Sequence, residues 1–329
     1  MNLRRIVTGI LVGSALALFI FFAIRATLES QIRKAIIADC IDCEVDWQNF
    51  SISPSKIGFK KIIFSFGNPA ITAVRGRVES VVVHYRLRPL LDRVMEFSLI
   101  EVDQPQVVVL EGDEKSPKAI DDSAGESTWR FISRKIEVNN GKFTYSRNYR
   151  DRTASLDVQE INAVVGLVES GNESLWTEGV ATGVLENSGI FQLLVKTPIF
   201  SPQALLDVQL RIRAQKLAAL NNFFKPSEGL VLLGTLREGS ARATVNEKLQ
   251  NAIVSANYQD LDFRFLKTRN RGAVAAFISN LAKSLKLEKS SGPSKQKYRA
   301  VQITRGEESM ISFLLRGMRD AALRVATEK

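Results

Sequence analysis

One histidine and two cysteines in 329 residues leave this chain poorly supplied for most site chemistry. His84 alone cannot build a histidine metal cluster, and Cys40 with Cys43 cannot fill a zinc finger or staple a disulfide-dense scaffold. No phosphate-binding glycine loop, nucleophile elbow or His-Glu-x-x-His run occurs, and the carboxylates are scattered through loops and polar strand positions. Asp121-Asp122 reads as a solvated turn and His84 as a structural or surface residue. No catalytic residue, cofactor or metal ligand is expected, and the chain is not read as an enzyme.

Net charge is also missing from most of the chain. Residues 1–263 hold 30 Lys plus Arg against 30 Asp plus Glu, and residues 264–329 hold 15 against 5, so the whole surplus of +10 sits in the last 66 residues. A neutral body with a basic tail points to a local contact rather than to nucleic acid. The tail's aromatics, Phe265, Phe277, Tyr298 and Phe313, fall on apolar faces and offer no stacking platform.

Long uncharged runs are absent with one exception. Residues 6–24 carry no charge and are bracketed by Arg4, Arg5 and Arg25; nineteen helical residues span roughly 28 Å, close to the hydrocarbon thickness of a bilayer. A cleaved signal peptide is the other reading, but Ala15-Leu16-Ala17 lies in the middle of the run, and Ile24 and Arg25 follow Ala23, so an uncleaved anchor is expected. A five-residue tail ahead of one span stays cytoplasmic, which puts the chain from about residue 26 onward outside the cytoplasm. In an oxidising space Cys40 and Cys43 suit a structural disulfide; free thiols and a redox pair are the alternatives, the last without the βαβ pattern it needs.

What the chain has in quantity is period-two alternation. Leu28, Ile32 and Ile36 first continue the span as a short amphipathic helix; then Leu206, Val208, Leu210 and Ile212 alternate with Asp207, Gln209, Arg211 and Arg213, as in a half-buried antiparallel strand. The same pattern recurs in about a dozen segments, among them Val81 to Leu87, Phe143 with Tyr145 after the turn signal Asn139-Asn140-Gly141, Ile161 to Leu167 and Ala241 to Val245. Polar residues 111–127 read as a long loop, and helical interruptions are expected over 87–93, around Pro89-Leu90-Leu91, and over 217–224. Near the C-terminus, Val274, Phe277, Ile278, Leu281 and Leu285 form one helical stripe beside Lys283 and Lys286. A strand follows at 298–304, then a second stripe of Ile311, Leu314, Leu315, Met318, Ala322 and Val325 beside Arg316, Arg319 and Arg324. Such helices either pack on the sheet or lay these five basic residues on an anionic membrane surface.

The expected fold is therefore mainly β: an N-terminal transmembrane helix (1–27), an amphipathic connecting helix (28–38), an antiparallel β-rich body (39–265) and a basic C-terminal region with two helices (266–329). The order of the pieces resembles the AsmA-like family of bacterial envelope proteins. The resemblance runs through Val45-Asp46-Trp47-Gln48-Asn49-Phe50-Ser51-Ile52 and Ile57-Gly58-Phe59-Lys60-Lys61-Ile62. It is sharpest at Val81-Val82-Val83-His84-Tyr85-Arg86-Leu87-Arg88-Pro89-Leu90-Leu91 and at Leu99-Ile100-Glu101-Val102-Asp103-Gln104-Pro105-Gln106-Val107-Val108-Val109-Leu110, similar to a strand pair pinched at a proline. It continues in Ile136-Glu137-Val138-Asn139-Asn140-Gly141-Lys142-Phe143-Thr144-Tyr145, similar to a family hairpin, and in Leu217-Ala218-Ala219-Leu220-Asn221 between later strands. The resemblance implies an inner-membrane anchor, a curved groove-like sheet in the periplasm, and shelter or transfer of phospholipid in support of the envelope. A dozen strands at about 4.8 Å give only about 60 Å of sheet, less than a full bridge across the envelope needs. Two functions follow as expectations: an apolar groove that carries acyl chains, or a scaffold, its core filled, that binds another envelope protein. Open apolar surface along the sheet favours the first.

Overall fold

A computed structural model describes residues 43–68, 72–86, 89, 92–112, 130–149, 152–203, 205–246, 249–266, 297–304, 317 and 321. The first strands are β1 (Glu44–Asp46), β2 (Asn49–Ser53), β3 (Lys56–Asn68), β4 (Thr72–Arg86), β5 (Val94–Asp103) and β6 (Gln106–Glu111). The middle of the chain forms β7 (Arg130–Ser133), β8 (Ile136–Tyr149), β9 (Arg152–Val165), β10 (Val168–Glu169), β11 (Thr177–Leu185) and β12 (Gly189–Thr197). The last are β13 (Leu205–Lys216), β14 (Leu230–Asn246), β15 (Leu249–Phe265) and β16 (Lys297–Thr304). All sixteen belong to one sheet.

Four pairs are broken strands. β1 and β2 lie end to end along β3, β5 and β6 along β4, β7 and β8 beside β5 and β6, and β9 and β10 beside β8 and β7. The sixteen strands thus form twelve ranks, each hydrogen-bonded to the next in sequence order, with a width of about 53 Å at the usual strand spacing. Every junction between ranks is antiparallel but one. β5 and β6 run parallel to β7 and β8, which corrects the expectation of a purely antiparallel sheet: alternation gives a strand's faces but not its direction, and a long enough connection returns the chain to its starting end. The strand expected over 298–304 joins the same sheet beside β15, so the sheet extends past the expected body boundary at 265.

The strands bend along a common line. Lys60, Asp103 and Asn139 are linked through Ser80 in one cross-strand row, and the next residue on each of those three, Lys61, Gln104 and Asn140, has φ near +50°, as does Glu160 on β9. At each of them the alternation restarts out of phase; β3, β4 and β5–β6 keep their mutual register across this line, while β8 and β9 shift theirs there. Ile57 and Phe59 give way to Ile62 and Phe64, Ile136 and Val138 to Phe143 and Tyr145, and Ile161 and Ala163 to Val158 and Leu156. The Asn139-Asn140-Gly141 signal is thus a bulge inside one long strand, not the turn of a hairpin. Ala214, Gly234 and Asp260 make a second group of positive φ on β13, β14 and β15.

The helical interruption expected over 217–224 is present as a 3-10 turn (Leu217–Leu220) running into α1 (Asn221–Glu228), which Gly229 ends in the left-handed conformation. Asn221 clamps α1 to the sheet, its amide donating to the Leu232 carbonyl at 3.0 Å and its oxygen accepting from the Leu232 N–H at 2.7 Å. Leu217, Leu230, Leu232, Tyr258 and Leu261 form a core there, with Leu220, Phe224 and Leu236 against it. Pro89 and Asp92, from the other expected interruption, are in 3-10 conformation. The expected span at 6–24 and the connecting helix lie outside the described residues, among which no helix is long and apolar enough to cross a membrane.

Gly234 tests the second line of bulges. Its φ is +102°, and an added Cβ would stand 2.4 Å from the Asp260 carbonyl oxygen. Gly234→Ala is expected to cost about 2–3 kcal/mol, combining strain with a backbone clash. At Gly171, with φ +75° and open space, the same change should cost only about 1 kcal/mol. Urea unfolding of both variants measures the difference.

Candidate functional site

The sheet's alternation becomes a site only when its register is followed across the ranks. Ile52 pairs with Ile57, Ile57 with Val83, Val83 with Ile100, Ile100 with Ile136, and Ile136 with Val165. The row continues through Gly179, Val195, Val208, Ala243 and Ala252 to Val301. It crosses all twelve ranks without a polar residue. Two residues along each strand, a second row runs Phe50, Phe59, Val81, Val102, Val138, Ala163, Ala181, Leu193, Leu210, Ala241 and Val254, and reaches a polar position only at Arg299 on β16. Side chains at paired positions share a face, so the two rows form an apolar band running across the strands.

Cover divides the band. From Ile52 to Val195 the first row is half-buried, whereas Val208, Ala243, Ala252 and Val301 are buried. Ala243, Ala252, Val254 and Val301 cluster with Ala321, which is fully buried; Gly317, one helical turn earlier, sits so close that an added Cβ would lie 2.4 Å from the Gln250 amide nitrogen. Beyond the line of bulges the face is covered instead by α1, whose Phe223 ring lies 6.0 Å from that of Tyr145.

The opposite face mixes charged side chains with the exposed apolar residues Val164, Val180, Ile190 and Ile253. His84 Nε2 lies 2.8 Å from a Glu101 carboxylate oxygen across two strands, and Arg242 holds Asp207 at 2.8 Å. That contact raises the Arg242 pKa, through its hydrogen bond first and its charge second. Two open depressions of about 380 and 670 Å³ lie by the first strands and share Ile63 in their walls. Among the described residues no three His, Cys, Asp or Glu side chains gather to hold a metal.

Of the residues singled out from sequence, Cys43 is described and is in a disulfide; Cys40, the chain's other cysteine, lies outside the described residues. So do Lys283, Lys286, Arg316, Arg319 and Arg324. Sequence reasoning missed Gly317 and Ala321 as contact residues because the larger side chains of the last stripe drew the apolar face through Met318 and Ala322.

Glu186, in the β11–β12 turn, was also missed. It is buried, accepts the Asp157 N–H at 2.8 Å and faces the Asn222 amide of α1 at 3.5 Å. Burial pushes its carboxyl above the ordinary value and the Asp157 charge adds to this, while the hydrogen bonds from the Asp157 backbone and Asn222 oppose it. No protein-family model and no curated protein matches the chain.

The raised Glu186 value fixes the sign of a pH effect. The folded chain binds this proton more tightly than the unfolded chain, so the contribution to stability is complete below about 4.5 and is lost as pH rises through the elevated folded value. Glu186→Gln keeps an acceptor and should remove that part of the slope, which urea melts of both proteins from about pH 4 to about pH 8 would reveal.

Proposed function

We propose that the protein shelters phospholipid acyl chains on the apolar band of its sheet, as part of a membrane-anchored component of the bacterial envelope. One observation carries this reading: an uninterrupted apolar row across twelve ranks, half-buried over the first eight. A filled sandwich would bury that row throughout, and an ordinary solvated face would break it with polar side chains. A band that crosses the strands lets a flexible acyl chain slide along it, since every rank offers apolar surface in the first row and no hydrogen-bonding side chain there to hold it. The anchor at 6–24 and the resemblance to AsmA-like proteins supply the membrane and the periplasmic setting in this reading. The chemistry is binding and transfer without bond making.

The full chain, purified in detergent and extracted for mass spectrometry, should carry phospholipid above a control β-protein treated alike. Ile100→Lys with Val138→Lys places charge on the band and should cut the recovered lipid at least about tenfold, because a charge is costly beside acyl chains. Val82→Lys, between band residues Val81 and Val83 but on the opposite face, should leave recovery unchanged. Equal recovery from all three, or none above control, rejects the proposal and leaves the scaffold reading, to which the filled end at Ala243, Ala252 and Ala321 already lends support.

A further inference from the structure

Exposed large apolar side chains are unevenly placed. Of the twelve among the described residues, seven lie between positions 164 and 200. Four of these sit on loops at one end of β9–β13: Leu167 is 41% exposed, Trp176 51%, Ile199 48% and Phe200 39%.

These loops are held from beneath. Thr177, buried, pairs with Thr197 across β11 and β12 and donates its hydroxyl to the Leu167 carbonyl at 2.8 Å. The β10 loop is pinned by Ser170, which exchanges hydrogen bonds with the Phe131 backbone at 2.7 and 2.9 Å. The Ile199–Phe200 tip is closed by Ser201 N–H donating to the Pro198 carbonyl at 3.0 Å. Three separate segments therefore present apolar tips from an ordered base.

Two features point to what covers them. The tips stand at one end of the ranks that carry the apolar band, with the Thr177–Thr197 pair between them and Gly179 and Val195. The tip segments are also nearly free of charge: residues 170–176 contain only Glu173, and residues 198–203 contain none. Other strand ends carry single exposed apolar side chains, Phe66, Met95, Ile190 and Leu249, rather than a group. At the same end, Glu96 is held between Arg86 at 3.3 Å and Arg134 at 2.6 Å, and at the other end of β11 and β12 the turn is Glu186-Asn187-Ser188.

We propose that this rim is a bilayer-docking edge, with Trp176, Phe200, Ile199 and Leu167 entering the boundary between lipid headgroups and acyl chains. Protruding tips suit a fluid surface better than a flat protein partner, and a Trp beside aliphatic side chains matches the mixed polarity of the interface. The choice of a bilayer over a protein rests on the proposed acyl-chain function of the band, which the docked rim would join to the membrane. With no cationic residue on the tips, docking needs no anionic lipid.

The test uses the full chain held in amphipol, mixed with phosphatidylcholine vesicles and separated by flotation. The wild-type chain should float with the vesicles, equally at low and high salt. Replacing Leu167, Trp176, Ile199 and Phe200 together by Ser should weaken flotation at least about tenfold, since four apolar side chains lose their burial, while circular dichroism stays unchanged. As a second readout, vesicles of brominated phosphatidylcholine should quench the wild type more than Trp176→Phe. Failure of the wild type to float, equal flotation of the quadruple variant, or equal quenching overturns the proposal. Lipid recovery after Ile100→Lys with Val138→Lys is measured separately, so loss of the acyl-chain function with docking intact, or the reverse, shows which idea failed.

Discussion

Everything distinctive in this protein depends on cross-strand register. A one-residue slip at any junction would carry an entire strand's apolar set to the opposite face, and the row from Ile52 to Val301 would break there. Eleven junctions must agree for the row to exist. The backbone ladder does not enforce that agreement by itself, since hydrogen bonds form equally well in neighbouring registers. The enforcement comes from the side chains, because the correct registers put apolar residues opposite one another along the row, whereas a slip puts residues such as Val83 opposite Glu101 or Val195 opposite Asp207.

The bulges obey the same constraint. An extra residue in one strand alone would throw it out of step with both neighbours. Here Lys61, Gln104 and Asn140 take the left-handed conformation in line with one another, so β3, β5–β6 and β8 change phase together and β4 shifts with them between Val81 and Val78. The face stays apolar on both sides of the bend. None of the three is glycine, and positive φ at Lys61 and Gln104 carries strain of about 1–2 kcal/mol each; the apolar pairing on either side of the bend is large enough to outweigh it.

The same dependence on register sets how much of the fold is legible in the sequence. Single strands were legible, because Leu206 to Ile212 alternates cleanly and nothing competes with that reading. The 3-10 turn and α1 were legible because Leu217-Ala218-Ala219-Leu220-Asn221 breaks the alternation. The bulge at Asn140 was misread as a hairpin turn, since Asn-Gly is a strong turn signal and only the neighbouring strands reveal that the chain runs straight on. The parallel junction between β6 and β8 had no local signal. The band itself was half legible: each strand announced an apolar face, but the row appears only when pairing partners are known. Trp176, Ile199 and Phe200 were passed over because an isolated apolar residue in a loop is common, and their grouping depends on the Thr177–Thr197 pairing.

Side-chain size along the band records what lies over it. At the ranks of β14 and β15 the rows carry Ala241, Ala243 and Ala252 beside Val254, and there Ala321 and Gly317 approach the sheet closely enough to leave Ala321 no exposed surface. Toward the first ranks the same positions carry Phe50, Phe59, Ile52, Ile57 and Ile100, which fill their own space above the backbone. Anything that covers those bulky side chains must stand farther from the sheet backbone than Ala321 and Gly317 do. Small side chains thus accompany the close approach of Ala321 and Gly317 at one end of the band, while bulky ones fill the other end, which under the proposed function is the stretch that meets acyl chains.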